Sequence, residues 1–397
     1  MLKGKCVVLG VTGSIAAYKI AYLASALVKQ HADVHVIMTE NATNFINPIT
    51  FETLTSNKCL VDTFDRNFQF NVEHVALAKR ADIFMVAPAS ANVIGKMANG
   101  IADDMLTTTI LAAKCPKYVS PAMNTNMYEN PIVQDNIAKL KRFGMQVIEP
   151  DVGLLACKDV GAGKMPSEDT LLDFILQEIL FEKDLTGKNV LVTAGPTMEA
   201  IDPVRFISNH SSGKMGYALA KVARQLGAHV TLISGPSSQR APYEVDVIKI
   251  QSAQGMFKQV LSYFDFQDYV IMSAAVGDYR PLEYSDQKIK KKADEFYLKL
   301  GKNEDILSYI GKHKTKQTIC GFAMETENVI ENAQNKFFKK NCDLLVVNDL
   351  FEDGAGFKTD TNKVALITKN FVDYLDLMSK EDLAHIILEK LMKVKGE

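Results

Sequence analysis

Short, almost continuous apolar runs alternate along the chain with longer stretches in which apolar residues recur at helical spacing. Examples of such runs are CVVLGV from Cys6, ADIFMVAPAS from Ala81, NVLVTA from Asn189 and YVIM from Tyr269. Runs that are apolar throughout are typical of parallel strands covered on both faces by helices. The pattern therefore predicts a doubly wound α/β fold with mostly parallel sheets and right-handed crossovers.

The same order of runs occurs twice. GKCVVLGVTGS starts at Gly4 and GKNVLVTAGPT starts at Gly187, and two further pairs of strand-like runs follow them in matching order. A periodic apolar face over 167–183, with a cap at Ser167, predicts the last helix of the first half. Because 397 residues are too many for one ordinary core, the chain is predicted to form two domains, 1–183 and 187–397.

Charge and composition exclude several classes of protein. The formal net charge is −2, which supplies no long-range field for a nucleic acid or an anionic membrane. No apolar run approaches the roughly twenty residues of a membrane span, and the run at Cys6 starts too early for a signal peptide. The six cysteines lie far apart without a CxxC pair, which favours free thiols over disulfides or a zinc site. We therefore predict a cytoplasmic protein.

Polar residues that follow the strands of the first half are candidates for a ligand site, because ligands of open parallel sheets lie beyond the carboxyl ends of the strands. The GVTGS turn suits a cofactor phosphate. It lacks GxGxxG spacing and is a weak signal by itself, so a Rossmann NAD site is an equal interpretation. Singly, each polar residue is also explained as a cap or turn residue. The candidates are Gly13, Ser14, Thr39, Ser90 and Asn92.

Titratable groups in the first half allow two interpretations each. Asn71 can cap a helix with His74 at its third position, where the helix dipole favours a neutral imidazole that acts as base or acceptor. A surface histidine explains the same pattern. Asp103 and Asp104 suggest a metal site, but adjacent helical residues point apart, and a solvated first turn is predicted instead.

Two later stretches of the first half carry further candidates. Asn124, in PAMNTNM, offers both a donor and an acceptor for a substrate carboxylate or amide. Cys157 lies among Gly153, Gly161 and Gly163, so its thiol either belongs to a mobile active-site lid or to an ordinary loop.

The second half places FISNHSSGKMG, from Phe206, at the mouth of a predicted helix. The stretch is either an anion site or a polar loop with a Ser or Asn cap, and it lacks the spacing of a Walker loop. Asp278 follows the third strand of this half, where a nucleotide is expected. Lys336 and Lys340 share one helix face, which suits either a triphosphate or solvent.

Motifs in a fixed order resemble one family over essentially the whole chain. GSIAAYK, the His74 helix, PASAN, PAMNTNM and LLAC are similar to the flavin-dependent cysteine decarboxylases. Together with FISNHSSGKMG, they resemble the bacterial bifunctional coenzyme A biosynthesis family, in which phosphopantothenoylcysteine decarboxylase is joined to phosphopantothenate–cysteine ligase. The resemblance implies a flavodoxin-like flavin-binding half and a Rossmann-like nucleotide-binding half.

For the first half, the resemblance implies decarboxylation of 4′-phosphopantothenoylcysteine with FMN as the electron sink. His74 would assist oxidation and decarboxylation, Asn124 would hold the substrate carboxylate, and Cys157 would deliver a proton. The implied cofactor-binding residues are Gly13, Ser14, Thr39, Ser90, Asn92, Ala122 and Met123.

For the second half, the resemblance implies that 4′-phosphopantothenate is activated by CTP as an acyl cytidylate, which L-cysteine then attacks. Asn209 would lie near the activated carboxyl, and Lys288 would stabilise developing charge. Mg²⁺ would accompany CTP, with unknown protein ligands. The implied CTP-binding residues are Ser273, Ala274, Asp278, Lys288, Phe322, Lys336 and Lys340. Members of the family assemble as decarboxylase trimers and ligase dimers, so a homo-oligomer is expected.

Three positions depart from the family pattern. Tyr128 stands where many relatives have Trp, Pro196 replaces the second glycine of a commoner Gly-Gly-Thr, and Glu304 replaces proline. Two other hypotheses are a flavin-binding regulatory protein that keeps the fold without the chemistry, and a two-domain NAD-dependent oxidoreductase. The missing GxGxxG motif weakens the second.

Overall fold

The computed structural model describes residues 1–63, 73–154, 160–290, 296–325, 328–349 and 359–394. The chain divides into two compact units, Met1–Glu182 and Lys183–Glu397. Of the helices in the described ranges, none is both long and apolar enough to span a bilayer. The cysteines described, at positions 6, 59, 115, 320 and 342, form no disulfide, as predicted for them.

A five-stranded parallel sheet forms the centre of the first unit. Its strand order is β2-β1-β3-β4-β5, the order of flavodoxin-like folds. A separate antiparallel hairpin, β6–β7, follows the sheet in the chain. The strands are β1 (Cys6–Val11), β2 (Asp33–Met38), β3 (Ile83–Ala89), β4 (Lys117–Pro121), β5 (Gln146–Val147), β6 (Asp151–Leu154) and β7 (Val160–Lys164).

Helices cover both faces of this sheet, since β1 and β3 are buried along their whole length. Ser167 caps the last helix, as predicted, by accepting from the Thr170 N–H at 3.3 Å. The helices are α1 (Ala17–Lys29), α2 (Pro48–Thr55), α3 (Glu73–Arg80), α4 (Ala91–Ala98), α5 (Met105–Ala112), α6 (Thr125–Tyr128), α7 (Pro131–Arg142) and α8 (Glu168–Ile179).

Eight strands form the main sheet of the second unit, in the order β12-β11-β8-β13-β16-β17-β18-β19. The first six are parallel in the Rossmann order, and the last two are antiparallel. Two short hairpin pairs, β9–β10 and β14–β15, lie outside the main sheet. The strands are β8 (Asn189–Ala194), β9 (Met198–Ala200), β10 (Phe206–Ser208), β11 (His229–Ser234), β12 (Asp246–Lys249), β13 (Tyr269–Met272), β14 (Tyr279–Pro281), β15 (Leu300–Lys302), β16 (Thr318–Glu325), β17 (Leu344–Asp349), β18 (Thr361–Ile367) and β19 (Val372–Ser379).

Apolar helix faces bury this second sheet as well, with one core cluster around Val260, Val270 and Ile319 and another around Phe337 and Leu345. The helices are α9 (Lys214–Gln225), α10 (Ala253–Phe264), α11 (Ile306–His313), α12 (Val329–Lys340) and α13 (Lys380–Val394). The predicted fold class, two doubly wound domains with mostly parallel sheets, is confirmed. Strand order reverses between β1 and β3 in one unit and between β8 and β13 in the other, and ligand crevices form at such points.

Asp103 and Asp104 do not form the solvated first turn that the sequence suggested. Asp104 is the N-cap of α5, and it exchanges hydrogen bonds with Thr107 in a capping box. Lys96 Nζ lies 2.7 Å from the Asp103 carboxylate and 3.2 Å from that of Asp104. Both residues precede the helix, so their side chains can converge on one ammonium group rather than point apart.

Helix α9 packs very close to the second sheet because Gly216 has no side chain. A Cβ at this position would lie 2.5 Å from Ala194 Cβ and 2.7 Å from Ser273 Oγ. Such contacts are too short for any real Cβ, and the sheet is too densely packed to yield. Gly255 in α10 differs, since a Cβ there would meet its nearest neighbour at 3.4 Å.

Gly216→Ala is therefore expected to destabilise the second unit by about 1–3 kcal/mol through overpacking. The matched control, Gly255→Ala, should be neutral or stabilise by up to about 1 kcal/mol because alanine favours helix. Urea unfolding of both variants, followed by circular dichroism, measures the change. Equal midpoints for the two variants would contradict this account of α9 packing.

Candidate active sites

A cavity of about 520 Å³ lies at the β1/β3 switch point of the first unit. This volume is within the usual range for a cofactor or small-molecule site. The predicted residues that line it are Gly13, Ser14, Ser90, Ala122, Met123 and Asn124.

One end of the cavity suits an anionic group. Helix α1 begins there without a side-chain cap, and Ser14, Ile15 and Ala16 contribute the preceding turn. The Ala16 N–H lies 3.4 Å from Ser14 Oγ and the Ala17 N–H donates to the Ser14 carbonyl at 3.0 Å, so the positive end of the helix dipole is what favours a phosphate here. Lys19 also lines the cavity, and its Nζ lies 3.2 Å from the Met165 carbonyl oxygen. Sequence reasoning missed Lys19, although GSIAAYK contains it.

Thr12 connects the carboxyl ends of β1 and β3. Its Oγ1 donates to the Pro88 carbonyl at 2.7 Å and accepts from the Ser90 N–H at 2.9 Å. Two other predicted residues, Thr39 and Asn92, do not line the cavity. Thr39 is buried at the end of β2, and its Oγ1 has no hydrogen-bond partner among the described residues.

The PAMN loop is held against the cavity by backbone contacts on both sides. The Ala122 N–H donates to the Ala89 carbonyl at 3.0 Å, and the Met123 N–H donates to the Gly163 carbonyl at 3.1 Å. Gly163 has φ +128°, and a Cβ there would lie 2.3 Å from the Met123 oxygen, so only glycine fits. Asn124 then faces the cavity, with Oδ1 accepting from the Asn126 N–H at 2.9 Å.

Two predicted decarboxylase residues are not brought to this cavity by the described structure. Cys157 lies outside the described residues, although Leu154 on β6 and Lys164 on β7 line the cavity on either side of it in sequence. His74 is half-buried and does not line the cavity. Helix α3 is described from Glu73 onward, and Asn71 lies outside the described residues, so the cap at Asn71 and the third helical position of His74 stay predictions.

A second cavity, of about 430 Å³, lies at the carboxyl ends of β13 and β16 in the other unit. Lysines from α12, a carboxylate from the segment between β13 and β14, and an aromatic ring from within β16 meet there. The predicted residues that line it are Ala274, Asp278, Phe322, Lys336 and Lys340. Ser273 is not among them, because its Oγ donates to the Thr193 carbonyl at 2.8 Å.

Asn303 lines the second cavity and links two segments of its wall. Sequence reasoning did not identify it. Its Nδ2 donates to the Gly277 carbonyl at 2.8 Å, and its Oδ1 accepts from Arg280 Nη1 at 2.9 Å. The neighbouring Glu304 lies 3.9 Å from Arg280, and Asp305 pairs with Lys340. Asp305 also caps α11. Glu304 and Asp305 therefore both have partners within the protein.

Comparison with known proteins identifies the family. Residues 1–180 match the family described as Flavoprotein, and residues 185–394 match the DNA/pantothenate metabolism flavoprotein C-terminal domain. The coenzyme A biosynthesis bifunctional protein CoaBC of Bacillus subtilis is 46% identical, with all of both chains covered. That of Borreliella burgdorferi is 43% identical over 98% of this chain and 100% of its own. The chain belongs to the CoaBC family.

A solved structure of the C-terminal domain of a CoaBC protein is also similar, with 40% identity, a TM-score of 0.47, and coverage of 54% of this chain and 100% of that one. Family membership confirms the prediction of a bifunctional enzyme of coenzyme A biosynthesis with a flavoprotein half. It does not favour the regulatory alternative. The uncapped start of α1 and the adjacent Lys19 fit the phosphate of a flavin nucleotide.

In this CoaBC chain the FISNHSSGKMG stretch has no Ser or Asn cap. Gly213, with φ +82°, precedes α9 instead and provides no side-chain hydrogen bond. Asn209 Nδ2 donates to the Ala275 carbonyl at 3.1 Å, which ties the loop to the end of β13. Asn209 and Lys288 are both exposed, and neither lines the second cavity.

The departures from the family pattern have local structural consequences. The Tyr128 hydroxyl donates to Glu149 at 2.8 Å, and burial, together with this carboxylate, raises the pKa of Tyr128 to about 12. At position 196 the close contact is made by the backbone, since a Cβ on Gly235 would lie 1.8 Å from the Pro196 carbonyl oxygen, and nothing in this contact depends on the proline ring. Glu304 adds a carboxylate to the wall of the second cavity.

Among the residues that the structure describes, three potential metal ligands converge only at Cys6, Asp33 and His35. Arg80 fills this cluster, because its guanidinium contacts His35 Nε2 and lies 3.0 Å from the Asp33 carboxylate. Arg80 also interacts with the Cys6 thiol, and burial raises the pKa of this thiol. The Arg80 guanidinium thus takes the place that a metal ion would occupy in this cluster.

A buried lysine lies near Lys214, the first residue of α9. Lys380 begins α13, is 6% exposed and donates to the Thr359 carbonyl. Burial and the nearby Lys214 ammonium lower its pKa from 10.5 to about 8, whereas Asp360 opposes this change. Lys214 itself lies 2.6 Å from the Asp360 carboxylate.

Lys380 should make stability rise with pH. Below pH 8 the Lys380 ammonium is charged in both the folded and the unfolded state. The folded state then carries the free-energy cost of burying that charge. Between pH 8 and 10.5 the unfolded chain binds more protons, so the free energy of unfolding increases by about 1.4 kcal/mol per pH unit, or about 3 kcal/mol in all.

Lys380→Met should lose this rise, whereas the exposed Lys393→Met on the same helix should retain it. Urea unfolding at pH 7.5, 8.5 and 9.5 measures all three proteins. Parallel pH curves for the parent and Lys380→Met would show that the buried ammonium does not titrate in this range.

Proposed function

We propose that the chain catalyses two consecutive steps of coenzyme A biosynthesis. The second unit ligates L-cysteine to 4′-phosphopantothenate with CTP, and the first unit decarboxylates the product to 4′-phosphopantetheine with FMN. The supporting observation is the pair of cavities, the first at the β1/β3 switch point of its sheet and the second beyond β13, beside β16. The first adjoins a helix terminus suited to a flavin phosphate, and the second adjoins two lysines suited to a triphosphate.

The ligation begins with a carboxylate, which is a poor electrophile until it carries a good leaving group. Attack of the 4′-phosphopantothenate carboxylate on the α-phosphorus of CTP forms an acyl cytidylate and releases diphosphate. The cysteine amine then attacks the acyl carbon, loses a proton and displaces CMP. Lys336 and Lys340 hold the triphosphate, and Asp278 and Phe322 bind the nucleoside, with Ala274 in backbone contact.

Two exposed side chains act on the reacting carboxyl and phosphate in this proposal. Asn209 orients the activated carboxyl, and Lys288 stabilises charge on the α-phosphate as it is attacked. Mg²⁺ accompanies CTP as part of the substrate, and no protein ligand is assigned to it. Ser273 supports this site through its contact with the Thr193 carbonyl.

Decarboxylation needs an electron sink, because loss of CO₂ from a cysteine carboxylate otherwise leaves an unstabilised carbanion. A flavin held here would serve as that sink, since two electrons would pass to it from the thiol-bearing carbon of the substrate and would return after CO₂ has left, which regenerates the cofactor. Gly13, Ser14, Ser90, Ala122 and Met123 hold the flavin, with Thr39 and Asn92 at its periphery. Asn124 orients the substrate carboxylate, His74 moves a proton during oxidation, and Cys157 returns a proton to the enethiol.

Further properties of the proposal follow from the family. We propose a homo-oligomer, with trimeric decarboxylase units and dimeric ligase units. We also propose a cytoplasmic location, which the unpaired thiols described at five positions support.

Mass spectrometry of one reaction mixture tests the proposal. Purified protein with 4′-phosphopantothenate, L-cysteine, CTP and Mg²⁺ should yield 4′-phosphopantothenoylcysteine and then 4′-phosphopantetheine. Cys157→Ser should accumulate the first product and form the second at least about 100-fold more slowly, because the proton donor is lost. Cys115→Ser, a half-buried thiol of the same unit, is the matched control and should retain both products.

The outcomes separate the two parts of this proposal. Full decarboxylation by Cys157→Ser would remove Cys157 from the reaction. Absence of both products from the parent protein, with flavin still bound, would instead support the regulatory flavoprotein.

Lys336 provides a test of the nucleotide site. Lys336→Ala should raise the KM for CTP about tenfold or more, since a charge-assisted contact to phosphate is worth about 1.5–3 kcal/mol. Lys339→Ala is the control, because Lys339 carries the same charge on the same helix but is exposed and does not line the cavity. Equal rises in KM for the two variants would indicate a general charge effect and not a triphosphate contact.

A further inference from the structure

The first cavity carries two positive charges and no negative charge among the described residues that line it. The two cationic side chains are Lys19 and Lys164, and the rest of this lining is neutral. The proposed decarboxylation brings two phosphates to the first unit, one on the flavin nucleotide and one on 4′-phosphopantothenoylcysteine. Each ammonium group can therefore serve a different phosphate.

Lys19 belongs to the end of the cavity that suits the flavin phosphate. It lies in the first turn of α1, close to the positive end of the helix dipole. Its Nζ also lies 3.2 Å from the Met165 carbonyl oxygen. Lys164 comes from a different element, since it is the last residue of β7. The helix terminus and Lys19 account for one phosphate, which leaves Lys164 for the other.

The backbone on both sides of Lys164 is fixed to other parts of the cavity wall. The preceding Gly163 carbonyl accepts from the Met123 N–H at 3.1 Å, and the following Met165 carbonyl contacts the Lys19 ammonium. Met123 belongs to the PAMN loop, which orients the substrate carboxylate in the proposed decarboxylation. Lys164 is thus held in a defined position relative to the reacting end of the substrate.

The Lys164 side chain lies over Gly153 of the neighbouring strand β6. A Cβ at Gly153 would lie 3.6 Å from Lys164 Cδ and 3.8 Å from its Nζ. Asp151 is opposite Lys164 in the β6–β7 register, but the two side chains form no ion pair. The lysine is exposed, and its ammonium has no ion-pair partner among the residues that the structure describes. Its three N–H donors are therefore available to a ligand.

We propose that Lys164 binds the phosphate at the far end of the decarboxylation substrate and selects the phosphorylated acyl-cysteine over its unphosphorylated form. The inference rests on the proposed function of the first unit. Lys164 does not touch the reacting carbon; it supplies binding energy from a remote part of the substrate. Lysine suits this task because it binds phosphate as a point charge on a flexible stem.

Two substrates test this role. The full-length, FMN-loaded protein is supplied with 4′-phosphopantothenoylcysteine or with pantothenoylcysteine, which lacks the phosphate, and rates are normalised to bound flavin. Lys164→Ala should lower kcat/KM for the phosphorylated substrate about tenfold or more, mainly through KM, because a charge-assisted contact is lost. It should change kcat/KM for pantothenoylcysteine by less than about twofold, since that substrate never made the contact.

Control variants separate the phosphate contact from other effects. Lys164→Arg should keep the preference for the phosphorylated substrate, because arginine also donates to phosphate and keeps the charge. Lys29→Ala removes an exposed ammonium from α1 that does not line the cavity, so both kcat/KM values should stay at parent level. The flavin content of purified Lys164→Ala, measured by visible absorbance, should equal that of the parent.

The contrary outcomes are distinct. Equal losses with both substrates, or a parent protein with no preference for the phosphorylated one, would overturn the proposal. Loss of flavin from Lys164→Ala, with the substrate preference intact in the molecules that retain flavin, would also overturn it and assign the lysine to the flavin phosphate. Failure of the flavin-loaded parent to decarboxylate either substrate would instead overturn the proposed function of the first unit.

Discussion

A parallel strand that is buried on both faces can present polar chemistry only where it ends. In the first unit β1 and β3 are buried at every residue, and in the second β13 is buried throughout. Each core thereby excludes charged and hydrogen-bonding side chains from the body of the sheet. Ligand-binding groups can collect only at the carboxyl edges, and both cavities lie there.

The same constraint creates a second requirement, because the backbone groups at these edges must also find partners. Small polar side chains supply them from neighbouring strands. Thr12 bridges the ends of β1 and β3, and Thr197 Oγ1 accepts from the Gly277 N–H at 2.9 Å. Glycines allow the chains to approach closely enough, as at Gly163 and Gly216. The shape of each cavity thus depends on residues that need not touch a ligand.

Sequence reasoning predicted what depends on short-range pattern. Continuous apolar runs revealed the parallel strands, and polar residues directly after them included Ser14, Ser90, Asp278 and others that line the two cavities. Ser167 was recognised as a cap because capping depends on a few adjacent positions. The resemblance of ordered motifs added the family, which the comparison confirmed.

Contacts across long separations could not be predicted in the same way. The Thr12–Pro88 bond joins residues 76 apart, and Asn303 gains its role only when β14 and β15 pair. Adjacent Asp103 and Asp104 were expected to diverge, but a lysine from the preceding helix gathers them. The position of Ser273 likewise depends on a carbonyl of another strand. Such details follow from strand order, which one sequence does not display.

The Asp202 carboxylate is buried and forms directional contacts with two chain segments. Ion pairs contribute little to stability on average, and only the carboxylate of the Asp202–Arg205 pair is buried, since the Arg205 side chain is 43% exposed. The geometry of the pair offers what an apolar contact cannot, since a carboxylate and a guanidinium together bind both the donor and the acceptor of one peptide. Directional hydrogen bonds hold the Ile289 peptide against the turn that carries Asp202 and Arg205.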